Sequence, residues 1–119
     1  MFLIVSQSTD NNNAHYYYQW IEKLLETPIK DFRKLVLWKI LCPYLIKVRK
    51  LSYEESFNIL REWLDKCNTL RKLDFNPNHK IKDNLKNVGK FNPIGIPKLK
   101  NDAENINLYN LLKKLGIVQ

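Results

Sequence analysis

The side chains that could do chemistry here are cations, and they recur in two arrangements. Arg33 and Lys34 follow Asp31 at the head of a run, Leu35 to Ile46, that is apolar except for Lys39 and Pro43. If that run is a helix, both cations fall in its first turn, where the macrodipole disfavours positive charge. Free amides and two cations at one helix end are suited to an anion, above all a phosphate. Further on, Lys82, Lys86 and Lys90 repeat every fourth residue. On a helix they share one face and repel by about 0.2–0.5 kcal/mol per pair. That row reads either as a solvated face or as a track for a phosphate backbone. Machinery for making or breaking bonds is not evident. The sequence has no GxxxxGK[ST], GxGxxG, HExxH or CxxC pattern. Glu54 and Glu55 fall in a capping box, His15 reads as a packing residue, and His79 as an exposed residue at a helix start. Among Tyr16, Tyr17 and Tyr18 one side chain should remain exposed, where it could stack on a base.

Composition narrows the partners. The chain has 119 residues, 20 Lys and Arg against 12 Asp and Glu, and a formal net charge of +8. That excess favours a polyanion, nucleic acid before membrane, over simple solubility. It is also uneven. Residues 28–50 hold seven Lys/Arg against Asp31 alone, and residues 78–100 hold six Lys against Asp83 alone. Three glycines are too few for a sandwich or barrel. Cys42 and Cys67 are too few and too far apart for a disulfide framework or a metal knuckle, and read as small core residues. With no signal pattern and no run of 18 apolar residues, the chain is expected to be soluble and cytoplasmic.

The elements that must position the cations are helices. Residues 1–14 are expected to form a flexible tail and 15–119 a single compact all-α bundle of about five helices. Tyr16, Tyr17, Trp20, Ile21, Leu24 and Leu25 have helical spacing over 15–26. Thr27-Pro28 punctuates. The central helix then starts either at Asp31 as N-cap or at Thr27 with Pro28 at N1. Pro43 should kink or end it near Lys39, with a further turn or two possible from Tyr44. Ser52-Tyr-Glu-Glu55 opens a third helix running to about Arg71, with Tyr53, Phe57, Leu60, Leu64 and Cys67 as its inner stripe and Trp63 beside it. Asn78 caps a fourth over 79–88, which turns Ile81, Leu85 and Val88 inward and is closed by Gly89. Residues 91–97 read as loop. Asp102 caps a last helix through Leu115, on Leu108, Leu111, Leu112 and Leu115, with Gly116 as its stop. Trp20, Trp38 and Trp63 read as core.

The order of these segments resembles a known family. Asp31-x-Arg33-Lys34 leads into the apolar helix with Pro43-Tyr44-Leu45. There follow Leu51-Ser-Tyr-Glu-Glu, Trp63-Leu64-x-x-Cys67-x-x-Leu70-Arg71, Lys80-Ile81-Lys82-x-x-Leu85-Lys86, and Leu99-Lys100 with Leu108-Tyr109-x-x-Leu112. Over about residues 15–116 the chain is similar to the helix-bundle domain of archaeal primases. It is closest to the small non-catalytic third subunit, PriX, and is similar also to the helical domain of plasmid primase-polymerases. The departure is Gly89-Lys-Phe-Asn-Pro-Ile-Gly, where a lysine-rich helix end and a glycine-tyrosine turn are usual.

The resemblance implies a relative of the large primase subunit's C-terminal domain that lacks its iron–sulfur cluster and needs no other cofactor. The expected partners are the catalytic small and the large primase subunits, single-stranded DNA template, and ATP or another nucleoside triphosphate as bound ligand. Asp31, Arg33 and Lys34 match the family's motif at the central helix start. Lys80, Lys82 and Lys86 match its second basic stretch. On this reading Arg33 forks onto the triphosphate, Lys34 adds a point charge, and Lys82 and Lys86 track the template. Arg33→Ala is then expected to leave the fold intact and to weaken primer initiation more than extension. Two readings from other classes stand beside it. One is a regulator that sets its fourth helix in a duplex major groove. The other is an assembly subunit whose charge serves only solubility.

Overall fold

The computed structural model describes residues 18–89 and 92–119. Six helices and no strand occur among them. The all-α bundle is therefore as expected, with one helix more than the sequence suggested. The tail expected at 1–14, together with His15, Tyr16, Tyr17, Lys90 and Phe91, lies outside the described residues.

Helix α1 is Gln19–Leu25, burying Trp20, Ile21 and Leu24. The central helix, α2, spans 33–48 without a break. It begins as α-helix at Arg33–Val36 and widens to π-helical turns at Leu37–Leu41 and Tyr44–Val48. Helix α3 is Tyr53–Leu70, α4 is Pro77–Lys86, α5 is Ile96–Asn101 and α6 is Ile106–Lys114. Val36, Leu37, Ile40, Leu41, Cys42, Tyr44 and Leu45 of α2 are all buried. The apolar run does pass through the middle of the bundle, with α1 and α4 against its first π turn and α3 against its second.

Pro43 does not end this helix. Proline brings no N–H to the fourth preceding carbonyl, that of Lys39. The Ile94 amide, from the segment before α5, donates to that carbonyl at 3.0 Å. The widened turns hold the helix together around the gap: the Cys42 amide reaches back five residues to Leu37, and the Arg49 amide to Tyr44.

Local signals set the other starts. Ser52 and Glu55 form the reciprocal capping box, Ser52 Oγ accepting from the Glu55 amide at 3.0 Å and Glu55 Oε1 from the Ser52 amide at 3.2 Å. The buried stripe of α3 is Ser56, Leu60, Trp63, Leu64 and Cys67. Tyr53, expected inside, is half exposed at the first helical position, and the partly buried Phe57 stacks on it. Asn76, not Asn78, caps α4, because Pro77 already has the backbone angle of a first helical residue. Ile81, Leu85 and Val88 are buried as expected.

The loop expected through 97 closes at Gly95. Pro97 sits in the first turn of α5, where a missing N–H costs nothing. Asn105 rather than Asp102 precedes α6, and the Asp102 carboxylate instead accepts from the Glu104 amide and the Asn105 side chain. Leu108 and Leu112 are buried, whereas Leu115 is exposed. Gly116, at φ +76°, makes the stop, and the Ile117 amide turns back to the Leu112 carbonyl at 2.9 Å. Trp20 and Trp63 are core residues, and Trp38 is half-buried. Among the described residues no helix is long and apolar enough to cross a membrane.

Candidate nucleotide and nucleic-acid interface

Helix α2 starts in an unusual way. Its N-cap is Phe32, at φ 63° and ψ 22°, and no side chain caps the first amides. A bulky L-residue in the left-handed region carries strain on the order of 1–3 kcal/mol. Neither start expected from the sequence occurs. Asp31 lies one residue outside the cap, and its carboxylate accepts from Arg71 Nη1 at 2.7 Å. Both side chains of that pair are well exposed, so it adds little to stability.

Arg33 is buried, and its guanidinium is occupied by the protein itself. Nη1 donates to the carbonyls of Cys67 at 3.2 Å and Arg71 at 2.5 Å, and Nη2 to that of Lys72 at 3.2 Å. These carbonyls lie at and just past the C-terminal end of α3, whose own last turn has no basic residue. The guanidinium thus leaves the end of one helix that disfavours a cation for the end of another that favours it. The guanidinium fork, expected on a phosphate, closes on backbone oxygens in this structure.

Its neighbours line an open cleft. This cleft, of about 310 Å³, opens at the start of α2, lined by residues 30–35 together with Arg71, Asp74 and Phe75. Lys30, Lys34 and Arg71 are exposed cations on its walls, faced by Asp31 and Asp74. Lys34 Nζ stands 5.8 Å from the centroid of the Phe75 ring. Sequence reasoning singled out Asp31, Arg33 and Lys34, and all three line this cleft. It missed Arg71 and Phe75, whose approach depends on the turn after α3. Lys30 was one of the counted cations, two residues before the start at Phe32.

Lys80, Lys82 and Lys86 do not line the cleft. They lie on α4, which begins directly after Asp74 and Phe75. Lys82 and Lys86 are exposed, while Lys80 is half-buried. At a rise of 1.5 Å per residue, Lys86 stands about 9 Å beyond Lys80 along the axis. The second basic stretch thus lies outside the cleft, on the helix that follows the lining residues Asp74 and Phe75.

The remaining titratable groups of note are interior. Both cysteines are free and buried. Burial pushes the Cys42 thiol up to about 12. Burial also raises Cys67, while the Ile29 amide and the Arg33 charge act the other way. Tyr44 donates its hydroxyl to Glu22, which also faces Arg49 at 3.6 Å. Burial first, then that hydrogen bond and the Glu22 charge, push the phenol well above its usual 10.0. Among the described residues no cluster of three or more His, Cys, Asp or Glu is placed to hold a metal ion.

A comparison with protein families matches residues 18–116 to the model described as PriX, Primase X. No curated protein and no solved structure matches significantly.

Proposed function

The chain belongs to the Primase X family, and from that premise we propose that it is a non-catalytic primase subunit holding the initiating nucleoside triphosphate and the single-stranded template. The bond itself is made by a partner catalytic subunit. The observation that carries this reading is the cleft at the head of α2, where Lys30, Lys34 and Arg71 surround an uncapped helix start. Lys34 and Lys30 supply point charges to the triphosphate. Arg71 supplies a planar fork once it leaves the exposed Asp31. Arg33 is a positioning residue that fastens the turn bearing Arg71 to the wall bearing Lys34. Lys82 and Lys86, with Lys80 at their base, draw the template along α4 through its backbone, without reading sequence. Holding the first nucleotide against the template converts a collision of separate molecules into a local encounter, which lowers the entropic barrier of initiation.

The test is a titration of the isotope-labelled chain with nucleoside triphosphate, paired with priming assays alongside the catalytic partner. Amide shifts should cluster at 30–35 and 71–75. Lys34→Glu should weaken that binding and reduce initiation more than extension. Shifts elsewhere, or equal loss of both activities, would overturn the assignment.

A further inference from the structure

We infer that Phe32 is a nucleobase-stacking residue, so that the cleft holds a nucleotide by its base as well as its phosphates. This deepens the phosphate reading of the same cleft and rests on it. Phe32 is one of four large apolar side chains left exposed among the described residues, at 36%. It lines the cleft, as does Phe75, whose ring already faces the Lys34 ammonium. Its backbone sits at φ 63°, a conformation that glycine or asparagine takes far more readily. A helix start that needed only the turn would be better served by either of those residues. An anion alone makes no use of a ring, whereas a nucleotide places a flat apolar surface a few ångströms from its phosphates. At about 310 Å³ the cleft is at the small end of ligand sites, enough to seat part of a nucleotide and leave the rest open to a template. Stacking accepts any base, which suits a position that takes whichever nucleotide pairs with the template.

The unusual backbone makes the test clean. Phe32→Gly removes the ring and leaves a residue that prefers the observed φ, so the variant should melt no lower than the parent. Calorimetric titration of the full chain with ATP, UTP and inorganic tripolyphosphate separates base from phosphate. Phe32→Gly should weaken ATP and UTP binding by about tenfold, within the range spanned by base–aromatic stacking. Tripolyphosphate binding should be unchanged, and Phe32→Tyr should restore the nucleotide affinity. Unchanged ATP affinity in Phe32→Gly overturns the inference, as does an equal loss for ATP and tripolyphosphate, which would assign Phe32 to the phosphate cradle. If the parent chain binds neither ATP nor tripolyphosphate, the phosphate reading itself fails, and this inference with it.

Discussion

Replacing Arg33 by alanine should unfold the protein more readily rather than merely disarm a binding site. The substitution removes three hydrogen bonds from a buried guanidinium to the Cys67, Arg71 and Lys72 carbonyls. Hydrogen bonds to charged groups contribute about 1.5–3 kcal/mol each, and a cation at a partly buried helix C-terminus up to about 2 kcal/mol. The full sum is not lost. The Cys67 carbonyl keeps the Arg71 amide at 3.1 Å, and the carbonyls of the exposed Arg71 and Lys72 can recruit water. A net loss of about 2–4 kcal/mol follows, or a fall in melting temperature of roughly 8–15 °C for a domain of this size. Arg33→Lys keeps the charge but not the fork, and should fall between alanine and the parent. Lys34→Ala, an exposed neighbour of the same charge, should stay within about 0.5 kcal/mol. Thermal and urea unfolding of the three variants measure this directly. An Arg33→Ala variant that melts with the parent but loses nucleotide affinity would refute the reasoning, because the guanidinium would then be free for the ligand.

Other outcomes can be checked alongside. Cys42 and Cys67 should not react with a thiol reagent at mildly alkaline pH until the chain is unfolded, since burial holds both thiols protonated. Tyr44 has a folded value raised above its usual 10.0, so its contribution is whole below that value and is lost as pH rises through the raised one. Urea unfolding should accordingly show a steeper alkaline loss of stability in the parent than in Tyr44→Phe. Salt dependence of single-stranded DNA binding should weaken by about 0.7 in log–log slope for each of Lys82 and Lys86 replaced by alanine. The Ile94 amide, although outside any helix, should be protected in hydrogen exchange by its bond to the Lys39 carbonyl.

What could be read from the sequence was whatever neighbours decide among themselves. The Ser52–Glu55 box closes within four residues, and the inward row Ile81, Leu85 and Val88 needs only the helical period. The start of α4 slipped by two residues because two asparagines flank Pro77 and only the backbone at the proline separates them. Arg33 was legible as an anomaly, a cation at the wrong end of a helix, but not as its resolution. Its acceptors lie 34 to 39 residues away, on a turn whose position depends on how α3 packs. The same distance concealed Arg71 and Phe75 from the candidate site. The survival of α2 past Pro43 depends on a donor 55 residues beyond Lys39, and no local pattern announces that.

The π-helical turns of α2 also set a helical phase. Each closes its hydrogen-bonded ring with one residue more than an α turn, so the helix carries its residues on a different count from a regular one. Deleting a single residue within Leu37–Leu41 could restore an ordinary α turn at little cost to local hydrogen bonding. Because the wide turn absorbs that extra residue, the residues on either side would keep their faces, with Arg33 on the α3 carbonyls and Phe32 and Lys34 at the cleft. The ordinary α turn at Arg33–Val36 has no such slack: losing one residue there would rotate what precedes it by about 100° relative to the buried half of the helix. Two single-residue deletions a few positions apart would thus have opposite consequences for where the cations point.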